Sequence, residues 1–441
     1  MKKILKSLEN INLRLFASLL VLGLCPTIYT TLRVFFIGQL PGEWSYSIAG
    51  QLSWVNLLYE VLSEAIILPL YFFIGQVKED KKEFTNRVKT GLLVSFGLYT
   101  VLSVIIVIFA EGLLRFMAAD ASIIEASTQY IRIESIANVC GLLFSFVLVV
   151  LVTLGKDKYV YVLTGAKLVL CVLFDTFMTS TLPISLNLGI NGIAYTNVIV
   201  NLLLFGVTVF LLYKDEVNVF TKDRLSFAWF KDFLKIGGIS GVESLVRNVA
   251  YMMMISRMVN MVGEQGTYWV ANNFIWGWLL LPIIQLGEVI KSEVGTDKAS
   301  VRKNTLGYFG ITVATCLLWC VSIPVWKPFM AHVLGFSDVD KLFTLVMILL
   351  GFYVLYAIQN VFDATFYGLG KTNYMLFESI VTNTVFYGGA FILYLAGVWT
   401  PTLIGIALLF GIGNVFDSIV SLGAYIYLLK REKINILAVE E

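Results

Sequence analysis

Apolar residues recur along this chain in long blocks, separated by short polar segments. Twelve blocks run over about 15–38, 46–75, 90–110, 124–153, 159–182, 190–213, 236–262, 267–290, 304–326, 342–368, 373–398 and 403–429. Each has roughly 20 residues or more, the length at which an α-helix crosses a hydrocarbon layer about 30 Å thick. Several exceed that minimum, which predicts tilt, kinks or protrusion from the bilayer. A membrane β-barrel would instead show short segments of alternating polarity. The pattern predicts an all-α polytopic membrane protein with twelve transmembrane helices, numbered here span 1 to span 12 in chain order.

Composition agrees. Of 441 residues 58% are hydrophobic and 14% charged, with a mean hydropathy of +0.83, whereas a soluble domain carries about 25% charged residues. The net charge of +2 names no partner, and nothing in it suggests nucleic acid. The placement of the positive residues says more. If both ends are inside, 24 of the 32 lysines and arginines fall in inner segments, three (Arg115, Lys327, Lys341) lie outside, and the others sit within apolar blocks. The positive-inside rule then predicts cytoplasmic amino and carboxyl termini in a cell (inner) membrane. Met1-Lys2-Lys3 before an apolar run resembles a secretory leader. The run continues through Pro26 to Phe36 with no small-residue cleavage site, which predicts a retained span 1.

The chain repeats itself. LGKDKY at 154–159 returns as LGKTNY at 369–374, each on the trailing edge of an apolar block. Leu68-Pro69 in span 2 returns as Leu281-Pro282 in span 8, and Gly192-Ile193-Ala194 in span 6 as Gly405-Ile406-Ala407 in span 12. Asn201 likewise returns as Asn414, and the last three matches share one offset, 213 residues. The long polar segment 214–235 falls between the halves. These matches predict a six-helix lobe over 1–213, a cytoplasmic linker over 214–235 and a second six-helix lobe over 236–441. Six spans per half start both halves on one side, so the two bundles would be related by a pseudo-two-fold axis along the membrane normal, with a cavity between them. The LGK phrases would be equivalent helix ends, a glycine stop followed by an inward-facing lysine.

Four stretches carry a resemblance to a known family: RVFFIGQLPG at 33–42, LFDTFMTSTLPISLNLGINGIAYTN at 173–197, SGVESLVRNVAYMMMISRMVNMVG at 240–263 and NVFDATFYGLGKTNY at 360–374. In order and topology these resemble the multidrug and toxic compound extrusion (MATE) transporters, of the superfamily that also holds flippases for lipid-linked sugars. The resemblance implies a cation-coupled antiporter driven by Na⁺ or H⁺, exporting amphipathic small molecules, cationic ones among them, and acting as a monomer in the bilayer. One branch of the family pairs an acid on span 1 with one on span 5. Asp175 stands at the span 5 place, but the span 1 place holds Arg33. Another branch uses acids on spans 7 and 10; Glu243 and Asp363 lie on those spans, displaced by one to two turns.

Read from the residues alone, the ionisable groups inside the spans stand out as well, because charge in a bilayer is costly and faces a cavity or a partner. Glu60 and Glu64 lie four apart on one face of span 2. They are ion-coupling candidates for Na⁺ or H⁺, or else are neutralised by an arginine from another helix. Glu243 and Arg247 are also four apart, and form either a pair along span 7 or a gate. Arg33 with Asp175 would put a tethered positive charge where a cation would otherwise bind. Asp175 and Asp363 complete the coupling candidates. Glu288 and Asp417 read as groups near inner helix ends that reach the interface. In span 8, Asn272, Asn273, Trp276 and Gln285 suit the wall of a substrate cavity, or else a polar clamp between helices beside an aromatic belt at Trp269. Pro69, Pro282 and Pro26 predict bends.

The five cysteines all fall in spans and the one histidine, His332, in a loop. No zinc site, histidine-based triad or phosphate-binding glycine loop is recognisable, so neither a metal, a cofactor nor an enzymatic activity is expected. The sequence favours a secondary-active antiporter. The alternative is a flippase for an anionic lipid-linked substrate, in which Arg33, Arg247 and Arg257 would meet phosphate.

Overall fold

The computed structural model describes residues 2–41, 44–214 and 225–436. Much of the 214–235 linker, residues 215–224 with Lys222 and Arg224 among them, lies outside the described residues. Among those described there is no strand, and long helices stand at all twelve expected places. Ten pass as membrane spans by length and apolarity, from Leu13–Gly38 and Ser45–Gly75 to Thr372–Leu395 and Leu403–Arg431. An eleventh, span 8, is a bent pair, Gln265–Leu279 and Leu281–Thr296, turning by 52°. Span 7, residues 230–261, is helical too. It carries Glu243, Arg247 and Arg257 within one apolar block, which dilutes its hydropathy. This is an integral membrane protein.

A short amphipathic helix, Lys2–Glu9, precedes span 1. It seats Ser7 and Ile11 against span 9 (Ser300–His332), where Gly307 and Gly310 leave room for it: a Cβ on Gly307 would stand 2.8 Å from Ile11 Cδ1, and one on Gly310 3.0 Å from Ile4 Cγ2.

The repeated phrases are one helix cap built twice. At the end of span 4 (Ala121–Thr153), Gly155 takes φ +75°, the Lys156 amide donates to the Leu151 carbonyl and the Gly155 amide to that of Val152. At the end of span 10 (Val339–Gly368), Gly370 takes φ +67°, Lys371 donates to Phe366 and Gly370 to Tyr367. This is the six-to-one, five-to-two pattern that stops a helix at a left-handed residue, and glycine enters that region without steric cost.

The Leu-Pro pairs also stand in equivalent structure. A wide π-turn, Ser63–Ile67, precedes Pro69, and another, Ile275–Leu279, precedes Pro282. Proline lacks an amide hydrogen and frees a carbonyl one turn back, which loosens the ladder there. In span 8 the carbonyls of the π-turn find side-chain donors: Thr27 bonds Gly277 O at 3.1 Å and the Trp319 indole bonds Leu279 O at 2.9 Å. Span 8 bends at this break. Pro26, by contrast, sits inside the continuous helix Leu13–Gly38.

By packing, the chain divides into a unit of Leu32–Trp269 and a unit of Met1–Thr31 with Val270–Glu441. These bounds differ from the 1–213 and 236–441 halves, since the repeat is a relation of sequence and the units are relations of contact. In the first unit, span 4 packs on spans 3 and 6, and span 7 lies on the π-turn of span 2. Gly237 makes that approach possible: a Cβ there would fall 2.1 Å from the Ala65 carbonyl oxygen. In the second unit, span 10 is the centre, packed on spans 8 and 9 through Leu286, Val289, Tyr308, Val361 and Ala364, and on span 12 through Phe362, Phe366, Tyr425 and Leu428.

Candidate functional site

Most of the acids inside the spans, among the described residues, fall into three clusters, two in the Leu32–Trp269 unit and one in the other. The first joins spans 1, 4, 5 and 6. Arg33 Nε donates to Asp175 Oδ2 at 2.6 Å, and its Nη2 donates to Asn197 Oδ1 at 2.7 Å. The Asn197 amide in turn donates to Glu134 Oε1 at 2.7 Å. Asp175 is 2% exposed and Glu134 4%. The structure thus brings Arg33 and Asp175 together, with the guanidinium bound to one carboxylate directly and to a second through an amide.

The second cluster gathers three carboxylates on one guanidinium. Arg247 of span 7 lies 2.7 Å from Glu64, 3.1 Å from Glu60 and 3.6 Å from Glu243. Glu243 and Arg247 do pair along span 7, and the span 2 glutamates do meet an arginine from another helix. The π-turn Ser63–Ile67 carries Glu64, and the close seat of Gly237 and Gly241 on Ala65 brings Arg247 within reach of it. Asn248 holds the same contact by donating to the Leu57 carbonyl at 3.0 Å. One guanidinium is thus shared by three carboxylates.

The third cluster joins spans 10, 11 and 12. The Gln359 side-chain nitrogen donates to Glu378 Oε1 at 2.6 Å and Asp417 Oδ2 at 2.7 Å, and lies 3.2 Å from Asp363 Oδ2. Ser421 donates to Asp363 at 2.8 Å, Thr382 to Asp417 at 2.7 Å, and Ser418 to the Gln359 side-chain oxygen Oε1 at 2.7 Å. Gln359 is 3% exposed and Glu378 4%. Glu378 Oε2 is buried without a hydrogen-bond partner. Among the described residues no lysine or arginine pairs with any of the three acids. Asp363 thus finds acidic neighbours on spans 11 and 12, not on span 7. Asp417 does not reach an interface as expected: it lies midway along Leu403–Arg431 and is held by Gln359 and Thr382. Glu288 does sit with Lys291, at 2.7 Å, and is 48% exposed.

Glu134, Asn197, Gln359 and Glu378 escaped the sequence reading. Glu134 and Glu378 carried its own signal, an acid inside an apolar block. The two amides carried none, since their importance comes from what stands around them.

In span 8, Trp276 meets Tyr356 edge-on with ring centres 5.5 Å apart and Tyr353 at 6.2 Å, and Tyr353 continues to Phe410 at 6.2 Å. Trp276 is 40% exposed, so this group has an open aromatic face. Asn272 and Asn273 are half-buried just ahead of the π-turn, and Gln285 packs on Gly23 of span 1. Trp269, expected in an aromatic belt, packs on Tyr46 with ring centres 6.3 Å apart. The arginines of the flippase alternative are all engaged within the protein: Arg33 and Arg247 by carboxylates, and Arg257 by the Phe116 carbonyl at 2.9 Å.

Residues 72–177 match the family model MatE. No curated protein matches the sequence. Solved structures match over nearly the whole chain. An inward-facing multidrug resistance MATE transporter of the MOP superfamily aligns with a TM-score of 0.77 at 20% identity, over 92% of this chain and 95% of that one. A Vibrio cholerae MATE transporter aligns with a TM-score of 0.71 at 14% identity, over 98% and 99%. A MOP superfamily transporter from Pyrococcus furiosus, described as having a binding pocket of reverse polarity that suggests a different function, aligns at 0.70 and 18%, over 100% and 99%. The chain has the fold of the MATE transporters, and its residues 72–177 carry that family's sequence pattern.

Proposed function

We propose that this protein is a MATE-type transporter, a proton-coupled antiporter that exports amphipathic organic compounds by alternating access, with both termini cytoplasmic. The observation that carries the choice of ion is the cluster around Gln359. Three carboxylates approach one amide nitrogen, which has two hydrogens to give, and no base among the described residues balances them. Ionised carboxylates this close, away from water, repel one another strongly. A proton shared among them removes that repulsion. The centre of the group, where a Na⁺ ion would sit, is taken by the Gln359 nitrogen.

Alternating access is supported by the relatives, since MATE transporters of this fold are described in both inward-facing and outward-facing conformations. A protonated cluster would favour one conformation and a deprotonated cluster the other, which is how a coupling ion biases a two-state carrier. The aromatic group of Trp276, Tyr353 and Tyr356 supplies flat, polarisable surface for an amphipathic substrate.

Purified protein in liposomes, followed with an organic cation dye under an imposed pH gradient and then an equal Na⁺ gradient, tests this reading. Dye movement should follow the pH gradient, and Glu378→Gln with Asp417→Asn should abolish it. Movement driven by Na⁺ alone, or a double variant as active as the parent, would move the coupling site to the Arg247 cluster or change the ion. No movement under either gradient, with a normal melting transition, would remove antiport of such dyes.

A further inference from the structure

Span 5 carries a lysine that none of the three clusters uses. Lys167 lies nine residues in from Lys158 of Lys158–Met178, which is about 14 Å along a helix. The ammonium stays at that depth: it stands 5.3 Å from the centre of the Phe144 ring, and Phe144 is itself nine residues from the Thr153 end of span 4. The side chain therefore does not escape to a helix end. Nor does it face lipid, because its neighbours one turn away on the same face are Leu163 and Cys171, 3% and 1% exposed. Two turns along that face lies Asp175, but its carboxylate is taken by Arg33. Among the described residues no hydrogen bond or ion pair holds Lys167; the Phe144 ring is its partner.

An ammonium has three hydrogens to donate, and a π-face satisfies one side of it. Inside a span such a group is costly unless it meets an anion or water. We propose that Lys167 is a substrate-binding residue that receives an anionic group, a carboxylate or a phosphate monoester, borne by an amphipathic ligand. The Phe144 ring fixes the ammonium from one side and leaves its other donors for the incoming oxygens. The neighbouring Arg33, already bound to Asp175 and Asn197, adds positive field without competing for the ligand. The protein would then favour compounds with a negative group over neutral compounds of the same shape. This goes beyond the proton cluster, which lies in the other packing unit, and does not depend on it.

Equilibrium binding to the purified protein tests the idea with a matched set of probes: 1-naphthaleneacetate and 1-naphthyl phosphate as the anions, and 1-naphthaleneacetamide as the neutral analogue. The parent should bind at least one anion about tenfold or more tighter than the amide, a difference of about 1.4 kcal/mol. Lys167→Gln should erase that preference by weakening the anions far more than the amide, and Lys167→Arg should restore it. Equal affinity of the parent for anions and amide, or no binding of either anion to folded protein, would overturn the proposal without any variant being needed. So would a preference that survives Lys167→Gln. A Lys167→Gln protein that melts earlier yet keeps the preference would make the lysine a packing element on Phe144. Failure of proton-driven transport would leave this result untouched, so the two readings fail separately.

Discussion

The hydroxyl of Ser7 donates to the Lys303 carbonyl at 2.7 Å and accepts from the Gly307 amide at 2.8 Å, tying the amino-terminal helix to both partners of one turn of span 9. Five residues on, the Asn12 amide donates to Glu293, whose other oxygen accepts from Asn304 at 2.8 Å and from the Tyr308 hydroxyl. The short helix is thus latched at two points over a glycine-lined seat. Ser7→Val should leave a carbonyl and an amide without their partner and cost about 1–3 kcal/mol. Gly307→Ala should lift the helix off, since the new Cβ would meet the Ser7 and Leu8 backbone at 3.0 Å. Both variants should melt earlier in detergent and be clipped faster near residue 12 by added protease. Gly423→Ala, whose Cβ meets nothing within 4 Å, should do neither.

Span 7 offers a sharper contrast between adjacent glycines. Gly237→Ala would drive a methyl group into the Ala65 carbonyl oxygen at 2.1 Å, and backbone cannot swing aside as a side chain can. A loss of about 1–3 kcal/mol or more is expected. Gly238→Ala meets open space and should be neutral, or gain up to about 1 kcal/mol from helix propensity. Thermal unfolding of the two variants side by side checks this, and equal melting would mean spans 2 and 7 do not approach as described.

Removing Arg247 should leave Glu60, Glu64 and Glu243 facing one another. Arg247→Met is expected to destabilise by about 1–2 kcal/mol, less than a fully buried pair would cost because Arg247 is 41% exposed. Glu64→Gln in that background should recover part of the loss. A double-mutant cycle on Arg247 and Glu64 should give a coupling above about 0.5 kcal/mol; additivity would show that the contact carries no energy.

Arg33 pairs with Asp175 at the place where the family resemblance implies a bound cation. Arg33→Asp should open that place, so the variant's melting temperature should rise in NaCl relative to an equal concentration of choline chloride, while the parent's should not. The shift should grow with concentration, as binding to the folded state alone requires. No salt-specific shift would mean that Asp175 and Glu134 cannot hold an ion once the guanidinium is gone.

On the proposed reading, in which the exposed ring of Trp276 offers its face to the substrate, Trp276→Ala should weaken binding of flat aromatic substrates about tenfold, and Trp276→Phe should recover much of it. Equal affinity in all three proteins, measured by equilibrium binding, would take Trp276 out of the substrate site.

Several parts of this protein follow from local pattern along the chain. Apolar block length set the number and places of the helices, because a bilayer admits a chain only in segments that bond their own backbone. The LGK phrases set two identical caps, because only a residue at home in the left-handed region ends a helix that way. The Leu-Pro pairs marked two of the four π-turns among the described residues, because proline removes the same hydrogen bond wherever it stands; those at Met252–Ser256 and Thr382–Tyr387 carry no such signal. Tertiary structure decided which charges meet. Glu60 and Glu64 could be read as a pair on one face, but only the seat of Gly237 on Ala65 brings Arg247 between them and Glu243. Asp363 gave no hint of Glu378 and Asp417, which come from two other helices, and Gln359 looked like any amide until three carboxylates closed on it. Span 7 even groups with the helices before the linker, a partition that no periodicity within a helix encodes. Pairing across helices depends on rotation and depth, and a shift of one residue turns a helical side chain by about 100°. That angle is fixed by packing partners far away in the chain, so it appears only when the helices are assembled.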